Sequence, residues 1–166
     1  MSDSDDEEAR DIVIDLGSGM IRAGFSGEDA PSTVFPTIVA RPKVQSMMVG
    51  AERSSWVYEG TCTRRKRNLY YPIQNGIVTS WDDMLTILKQ TFYNYLCVAP
   101  MEHRVMLTES PDNPKHSREK ITEVMFETYG ARAMFLVPGP VLALLSTGYS
   151  DGIVLDSGNT VTNAVP

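Results

Sequence analysis

One pattern, present twice, most constrains this chain. Val13-Ile14-Asp15-Leu16-Gly17 and Val154-Leu155-Asp156-Ser157-Gly158 share the order apolar, apolar, Asp, any residue, Gly, roughly 140 residues apart. Each lies in a longer run, IVIDLGSGM (Ile12 to Met20) and IVLDSGNTV (Ile153 to Val161), where small turn residues follow the Asp and an apolar stretch resumes. Such a run predicts a strand, a tight turn and a returning strand. A carboxylate at the end of a buried strand costs free energy unless something there uses it. Small turn residues let main-chain N–H groups approach an anion closely. Two such hairpins facing one another would cradle a polyphosphate, with Asp15 and Asp156 holding a hydrated divalent cation or an attacking water. For either copy alone, the plainer reading is a structural turn whose Asp caps main-chain N–H groups. The recurrence favours the phosphate reading.

The rest of the sequence bounds the setting. A chain of 166 residues is about one domain long, and an apolar fraction of 42% is enough for a packed core. No apolar run reaches the roughly 18 residues of a membrane helix, and no apolar segment follows the acidic N-terminus. Neither a membrane span nor a secretory signal is therefore expected. Cys62 and Cys97 stand in no metal-like spacing, which points to a reducing compartment and a soluble intracellular protein. Of the net charge of −6, Asp3, Asp5, Asp6, Glu7 and Glu8 supply five negative charges. That block reads as a solvated tail or as an electrostatic handle for a basic partner. The run Arg64-Arg65-Lys66-Arg67 reads as an exposed turn. Nucleic acid is not an expected partner, because binding it would require a larger basic surface with reader residues.

Periodicity places the elements. Asp11 to Asp15 reads as a buried strand, Met20 to Ser26 as its returning partner, and Thr33 to Ala40 as extended chain punctuated by Pro36. Lys43 to Asn68 is irregular, with Met47, Met48 and Val49 either an edge strand with a mobile loop or a protein-contact surface. A helix is predicted from an N-cap at Ser80, with Asp82 and Asp83 in its first turn. Its buried face would carry Met84, Ile87, Leu88, Thr91, Phe92 and Tyr95. Arg104 to Glu109 reads as a core strand, and Ser117 to Tyr129 as a helix burying Ile121, Val124, Met125 and Thr128. Ala133 to Val137 is a further buried strand, Val141 to Thr147 a short apolar helix ending at Gly148, and Ile153 to Asp156 the last strand. Alternating strands and helices predict an α/β layered domain.

Several stretches carry a resemblance: DLGSGMIRAGFSGEDAPSTVFPTIV, YPIQNGIVTSWDDM, TFYNYLCVAP, NPKHSREKITEVMFETY and GIVLDSG. Together they resemble the N-terminal part of the actin family, over nearly everything except the acidic tail. The resemblance implies an actin-like ATPase fold of the ribonuclease H-like class, outer half only, with a mixed sheet flanked by helices. It divides the chain into an acidic tail at 1–10, a core of 11–36 and 72–166, and an insertion at 37–71. It also implies ATP or ADP with Mg²⁺ as cofactor. Gly17, Ser18, Gly19 and Met20 correspond to the first phosphate loop, and Ser157, Gly158, Asn159 and Thr160 to the second. Asp15 and Asp156 correspond to the carboxylates that organise the Mg²⁺ hydration shell and the hydrolytic water. Arg22 stands where the family has a phosphate-contacting lysine, exchanging a point charge for a planar fork. Arg41 to Glu52, with Val44, Gln45, Ser46, Met47, Met48 and Val49 at its centre, resembles the loop that inserts into the next filament subunit.

The departures are as specific. Gly139 stands where the family has the glutamine that positions the attacking water, and Asn163 where it has a histidine. Asn159 replaces a carboxylate of the second loop, and Asn75 replaces the histidine after the YPI stretch. Losing oriented donors or acceptors for water costs orders of magnitude in rate, which argues against efficient hydrolysis. The family's remaining half, which supplies the adenine and ribose pocket, lies beyond Pro166, so nucleotide binding by residues 1–166 alone is expected to be weak or absent. The implied partners are actin or actin-like subunits and actin-binding proteins, in the cytoplasm and cytoskeleton, with the nucleus as an alternative. Three functions compete: a nucleotide-binding filament protein, a non-catalytic binding module of a cytoskeletal or chromatin complex (or a fragment with no independent activity), and a sugar-kinase-like ATPase half. The actin-specific stretches disfavour the third.

Overall fold

A computed structural model of the chain describes residues 10–42, 56–57 and 67–166. Its centre is a mixed sheet of five strands: β1 (Ile12–Leu16), β2 (Met20–Phe25), β3 (Thr33–Pro36), β9 (Arg104–Glu109) and β10 (Ala133–Pro138). Their spatial order is β10-β9-β1-β2-β3, with β1, β9 and β10 parallel and β1, β2 and β3 antiparallel. Alternation along the strands sets the faces. Ile12 and Ile14 of β1, Ile21 and Ala23 of β2, and Val105 and Leu107 of β9 are buried. Arg22, between two buried residues of β2, points the other way.

Two helices cover the buried face. In α1 (Trp81–Gln90) the apolar residues Met84, Ile87 and Leu88 recur at helical spacing and are fully buried, and Ile121 plays that part in α2 (Lys115–Glu123). They join the strands in one core with Phe35, Phe92, Val124 and Met125. Parallel β9 and β10 need a crossover, and α2 supplies it.

The two helices end alike. Each runs into a π turn, Thr91–Tyr95 after α1 and Val124–Thr128 after α2. The N–H groups of Leu96 and Tyr129 reach back to the carbonyls of Thr91 and Val124. Those of Val98 and Ala131 reach Phe92 and Met125, and the residue between each pair, Cys97 or Gly130, has a positive φ of 56° or 63°. The two ends touch through Phe92 and Tyr129, whose ring centroids are 5.3 Å apart. The Tyr129 hydroxyl donates to the Leu85 carbonyl at 2.9 Å. Burial, and secondarily the nearby Tyr93, push its pKa up to about 12.

Outside this core lie smaller pieces. The stretch 37–71 contributes β4 (Val39–Pro42), β5 (Trp56–Val57) and β6 (Arg67–Tyr70), a sheet in the order β5-β4-β6. Arg41 of β4 ties it to the core by pairing with Asp83, whose carboxylate is almost wholly buried at the start of α1. A tight hairpin joins β7 (Ile73–Gln74) to β8 (Ile77–Val78) through Asn75 and Gly76, both with positive φ. After β10 come α3 (Gly139–Ser146) and the hairpin of β11 (Val154–Ser157) and β12 (Thr162–Val165). Among the described residues, no helix is long and apolar enough to cross a membrane.

The sequence expectations hold in outline and fail in identifiable places. Ser80 is the N-cap residue, but its hydroxyl donates to Asp83 Oδ2 at 2.8 Å rather than to a helix N–H. Thr128 is exposed and Tyr129 buried, because the π turn takes in an extra residue and rotates the face. The extended run Thr33 to Ala40 is two strands in different sheets, broken at Thr37 and Ile38. The last strand is not a core strand. It starts one residue later than expected, pairs among the described residues only with β12, and leaves Ile153 and Leu155 more than 70% exposed. The acidic block, Val44 to Val49, Cys62 and Arg64 to Lys66 lie outside the described residues.

Candidate functional site

The two repeats form hairpins of the same register. In the first, the β1–β2 ladder closes at Leu16 and Ile21, leaving a loop of Gly17, Ser18, Gly19 and Met20. In the second, β11–β12 closes at Ser157 and Thr162, leaving Gly158, Asn159, Thr160 and Val161. One pair back from each closure sits the aspartate, Asp15 opposite Arg22 and Asp156 opposite Asn163. The repeat seen in sequence is therefore a repeat of backbone pairing.

The loops meet tip to tip. The Thr160 hydroxyl donates to Ser18 Oγ at 2.9 Å. A Cβ placed on Gly19 would lie 2.9 Å from Asn159 Cβ, so only glycine permits this approach. A Cβ on Gly17 would lie 2.5 Å from the Met20 carbonyl oxygen, so the tight first turn also requires glycine. Behind the first loop stands Thr37, fully buried, donating its hydroxyl to the Gly17 carbonyl at 2.7 Å and its N–H to the Gly19 carbonyl at 3.0 Å. In the second loop, the Gly158 N–H donates to the Val161 carbonyl at 2.9 Å.

Between the loops opens a cleft of about 350 Å³. It brings together Asp15, Gly17, Ser18, Gly19, Met20, Arg22, Asp156, Gly158, Asn159 and Thr160, residues drawn from both ends of the chain. Gly139 and Asn163 also line it. Ser157 does not. Alternation turns it away from the face of Asp156, and its hydroxyl bonds across the hairpin to Thr162 at 2.9 Å.

The two aspartates differ in their surroundings. Arg22 Nη1 donates to Asp15 Oδ2 at 2.8 Å, and the Thr108 hydroxyl donates to Oδ1 at 2.7 Å. Thr108 Oγ1 in turn accepts the Leu16 N–H at 2.9 Å. Asp156 is exposed, and its carboxylate makes no hydrogen bond or ion pair to the described residues. A third carboxylate on the cleft wall, Glu109, accepts from Arg118 Nε and Asn113 Nδ2, each at 2.8 Å. Among the described residues no three acidic, His or Cys side chains group as a metal cluster.

Sequence reasoning missed Thr37, Thr108 and Glu109. For the two threonines a signal existed, since each is a hydroxyl set in or beside an apolar strand run. The position of Glu109 depends on partners four and nine residues away, and nothing local announces it.

A protein-family model described as Actin matches residues 6–166. The chain belongs to the actin family. Within this actin-family chain, the matched span includes both hairpins and every described element.

The residues present suit phosphate groups. The glycines admit close backbone approach, the loop tips carry hydroxyls, and Arg22 brings positive charge to the wall. They also suit a hydrated divalent cation at Asp156, whose carboxylate is unengaged, since Mg²⁺ keeps its waters and uses one or two carboxylates with phosphate oxygens.

Proposed function

We propose that this chain is an actin-like cytoskeletal scaffold whose facing hairpins hold the phosphates of ATP or ADP with Mg²⁺, and in which hydrolysis is impaired. The observation that carries the reading is the register-matched pair of hairpins meeting at Ser18 and Thr160 over one cleft. Loop N–H groups and the hydroxyls of Ser18 and Thr160 bind phosphate oxygens, Arg22 adds charge, and Asp15 and Asp156 are the carboxylates facing the metal's water shell. A bound Mg²⁺ would neutralise phosphate charge. The nucleoside would have to find its contacts elsewhere, since among the described residues no aromatic side chain lines the cleft.

Impairment rests on Gly139. It begins α3 on the cleft wall and offers no side chain to orient a water. A Cβ there meets nothing within 4 Å, so a longer side chain fits. In a chain extended by the family's remaining half, Gly139→Gln is expected to raise ATP turnover at least ten-fold, measured as phosphate release under single-turnover conditions. Turnover unchanged by the substitution would refute the water argument.

A second reading, a non-catalytic binding module of a cytoskeletal or chromatin complex, draws support from exposed apolar side chains. Phe135, Leu145, Tyr149, Ile153 and Leu155 are each more than half exposed around β10, α3 and β11. Under either reading the proposed partners are actin or actin-like subunits and actin-binding proteins, and the proposed setting is the cytoplasm and cytoskeleton. Co-sedimentation with actin filaments, with and without ATP, separates the two, because nucleotide dependence belongs only to the first.

A further inference from the structure

Thr37 reaches neither solvent nor the cleft, yet it is bonded to both glycines of the first loop. Its hydroxyl donates to the Gly17 carbonyl at 2.7 Å, and its N–H donates to the Gly19 carbonyl at 3.0 Å. Its own backbone is set by a three-residue turn, in which the Ile38 N–H donates to the Pro36 carbonyl at 2.8 Å as the chain passes from β3 to β4. A fully buried hydroxyl needs a partner, and the Gly17 carbonyl supplies it.

Holding a carbonyl fixes the whole peptide unit. These units are trans, and in a planar trans unit the C=O and the N–H of the next residue point in opposite directions. With the Gly17 carbonyl drawn to Thr37, the Ser18 N–H points away from it. The Gly19 carbonyl turns the Met20 N–H the same way. Ser18, Gly19 and Met20 line the cleft and Thr37 does not, so away from Thr37 is toward the cleft. The Ser18 N–H donates to no group among the described residues. The second loop lacks this support. Its Gly158 N–H is spent on the Val161 carbonyl, and among the described residues no side chain holds any of its carbonyls.

Resting on the reading of this cleft as a phosphate site, we propose that Thr37 is the positioning residue of the first loop. It touches no ligand itself. By holding the Gly17 and Gly19 carbonyls from behind, it aims the Ser18 and Met20 N–H groups at an incoming phosphate group. Donors aimed in advance stabilise an anion without having to reorganise when it arrives. The hydroxyl carries this role, and the methyl group only fills space.

Two variants separate hydroxyl from volume: Thr37→Val keeps the shape and removes the donor, whereas Thr37→Ser keeps the donor and removes the methyl. Inorganic tripolyphosphate with Mg²⁺, which has no base or sugar to place, is titrated into the 166-residue chain and followed by nuclear magnetic resonance. In the wild type the Ser18 amide proton is expected to move downfield, as a proton does on entering a hydrogen bond to phosphate. Thr37→Val should weaken the affinity about ten-fold or more, and Thr37→Ser should bind more tightly than Thr37→Val. Circular dichroism checks that each variant is folded. A Thr37→Val loss of less than about ten-fold overturns the role of Thr37 and leaves the phosphate reading standing. So does wild-type binding that leaves the Ser18 resonance in place, or a Thr37→Ser loss as large as that of Thr37→Val, which would assign the residue to packing. A wild-type chain that binds no tripolyphosphate overturns the phosphate reading and the role of Thr37 with it.

Discussion

Tyr129 offers a prediction whose sign and size both follow from its surroundings. Its ring is buried against Phe92, its hydroxyl donates to the Leu85 carbonyl, and its pKa is pushed up to about 12. The fold therefore favours the neutral phenol, and the unfolded chain ionises first, near a tyrosine's ordinary value of 10.0. This contribution is fully present below about pH 10 and is lost as pH climbs toward 12, because the native state then binds more protons than the unfolded one. The slope approaches about 1.4 kcal/mol per pH unit within that window. Tyr129→Phe removes the hydroxyl and with it the slope. At about pH 8 the variant should be roughly 1 kcal/mol less stable, the net worth of an ordinary hydrogen bond. Near pH 11 the wild type will have lost about as much, so the stabilities converge and then invert. Urea unfolding of both chains, followed by far-ultraviolet circular dichroism across this range, reads the difference directly. All other side chains are common to both proteins, so the difference isolates residue 129. A stability difference that stays constant from about pH 8 to 11 would refute the reasoning.

Gly19→Ala drives a methyl group into Asn159, and overpacking of that kind costs about 1–3 kcal/mol. Asn159→Gly removes the obstructing atoms, so a double-mutant cycle should show coupling of at least about 1 kcal/mol; additivity within about 0.5 kcal/mol would mean the loops do not meet. Arg41→Ala leaves the Asp83 carboxylate buried with Ser80 as its one remaining partner among the described residues, and because Arg41 is itself partly exposed the expected loss is about 1–3 kcal/mol. Adding Asp83→Asn should recover part of it, and no recovery would count against the pairing. Cys97 holds a positive φ at the residue where the other helix end has Gly130, so Cys97→Gly should stabilise by about 1 kcal/mol in thermal unfolding. A destabilised variant would show that the weak Sγ contact to the Asn94 carbonyl matters more than backbone strain.

Much of this architecture was legible because its signals are local. Alternation in Ile12 to Leu16 and helical spacing in Met84, Ile87 and Leu88 name their own buried faces. The repeated Asp-x-Gly pattern located both hairpins and most of the cleft lining. What stayed hidden depends on distance along the chain or on neighbours. Nothing in IVLDSG says that its strand pairs only with the chain that follows it, so a run read as core proved exposed. The π turns carry no local mark, and at the second of them the buried face is misassigned as a result, to Thr128 instead of Tyr129. The pairing of Asp15 with Arg22 was within reach, since a four-residue loop places them opposite one another. The Asn75-Gly76 turn was within reach too, because that dipeptide is the common signature of a two-residue hairpin.

The matching helix ends also bear on how this chain can change in length. A π turn holds one residue more than α-helical winding needs, so each end marks a place where a single-residue insertion can be absorbed. Excising that residue would wind the helix evenly while turning everything downstream by about 100°. Leu96 and Tyr129, each buried just past its turn, would swing out of the core, and Tyr129 would leave Leu85. Lineages descended from this sequence should therefore change the identity of residues 91–95 and 124–128 more readily than their number. At these two places, selection reads a count before it reads a side chain.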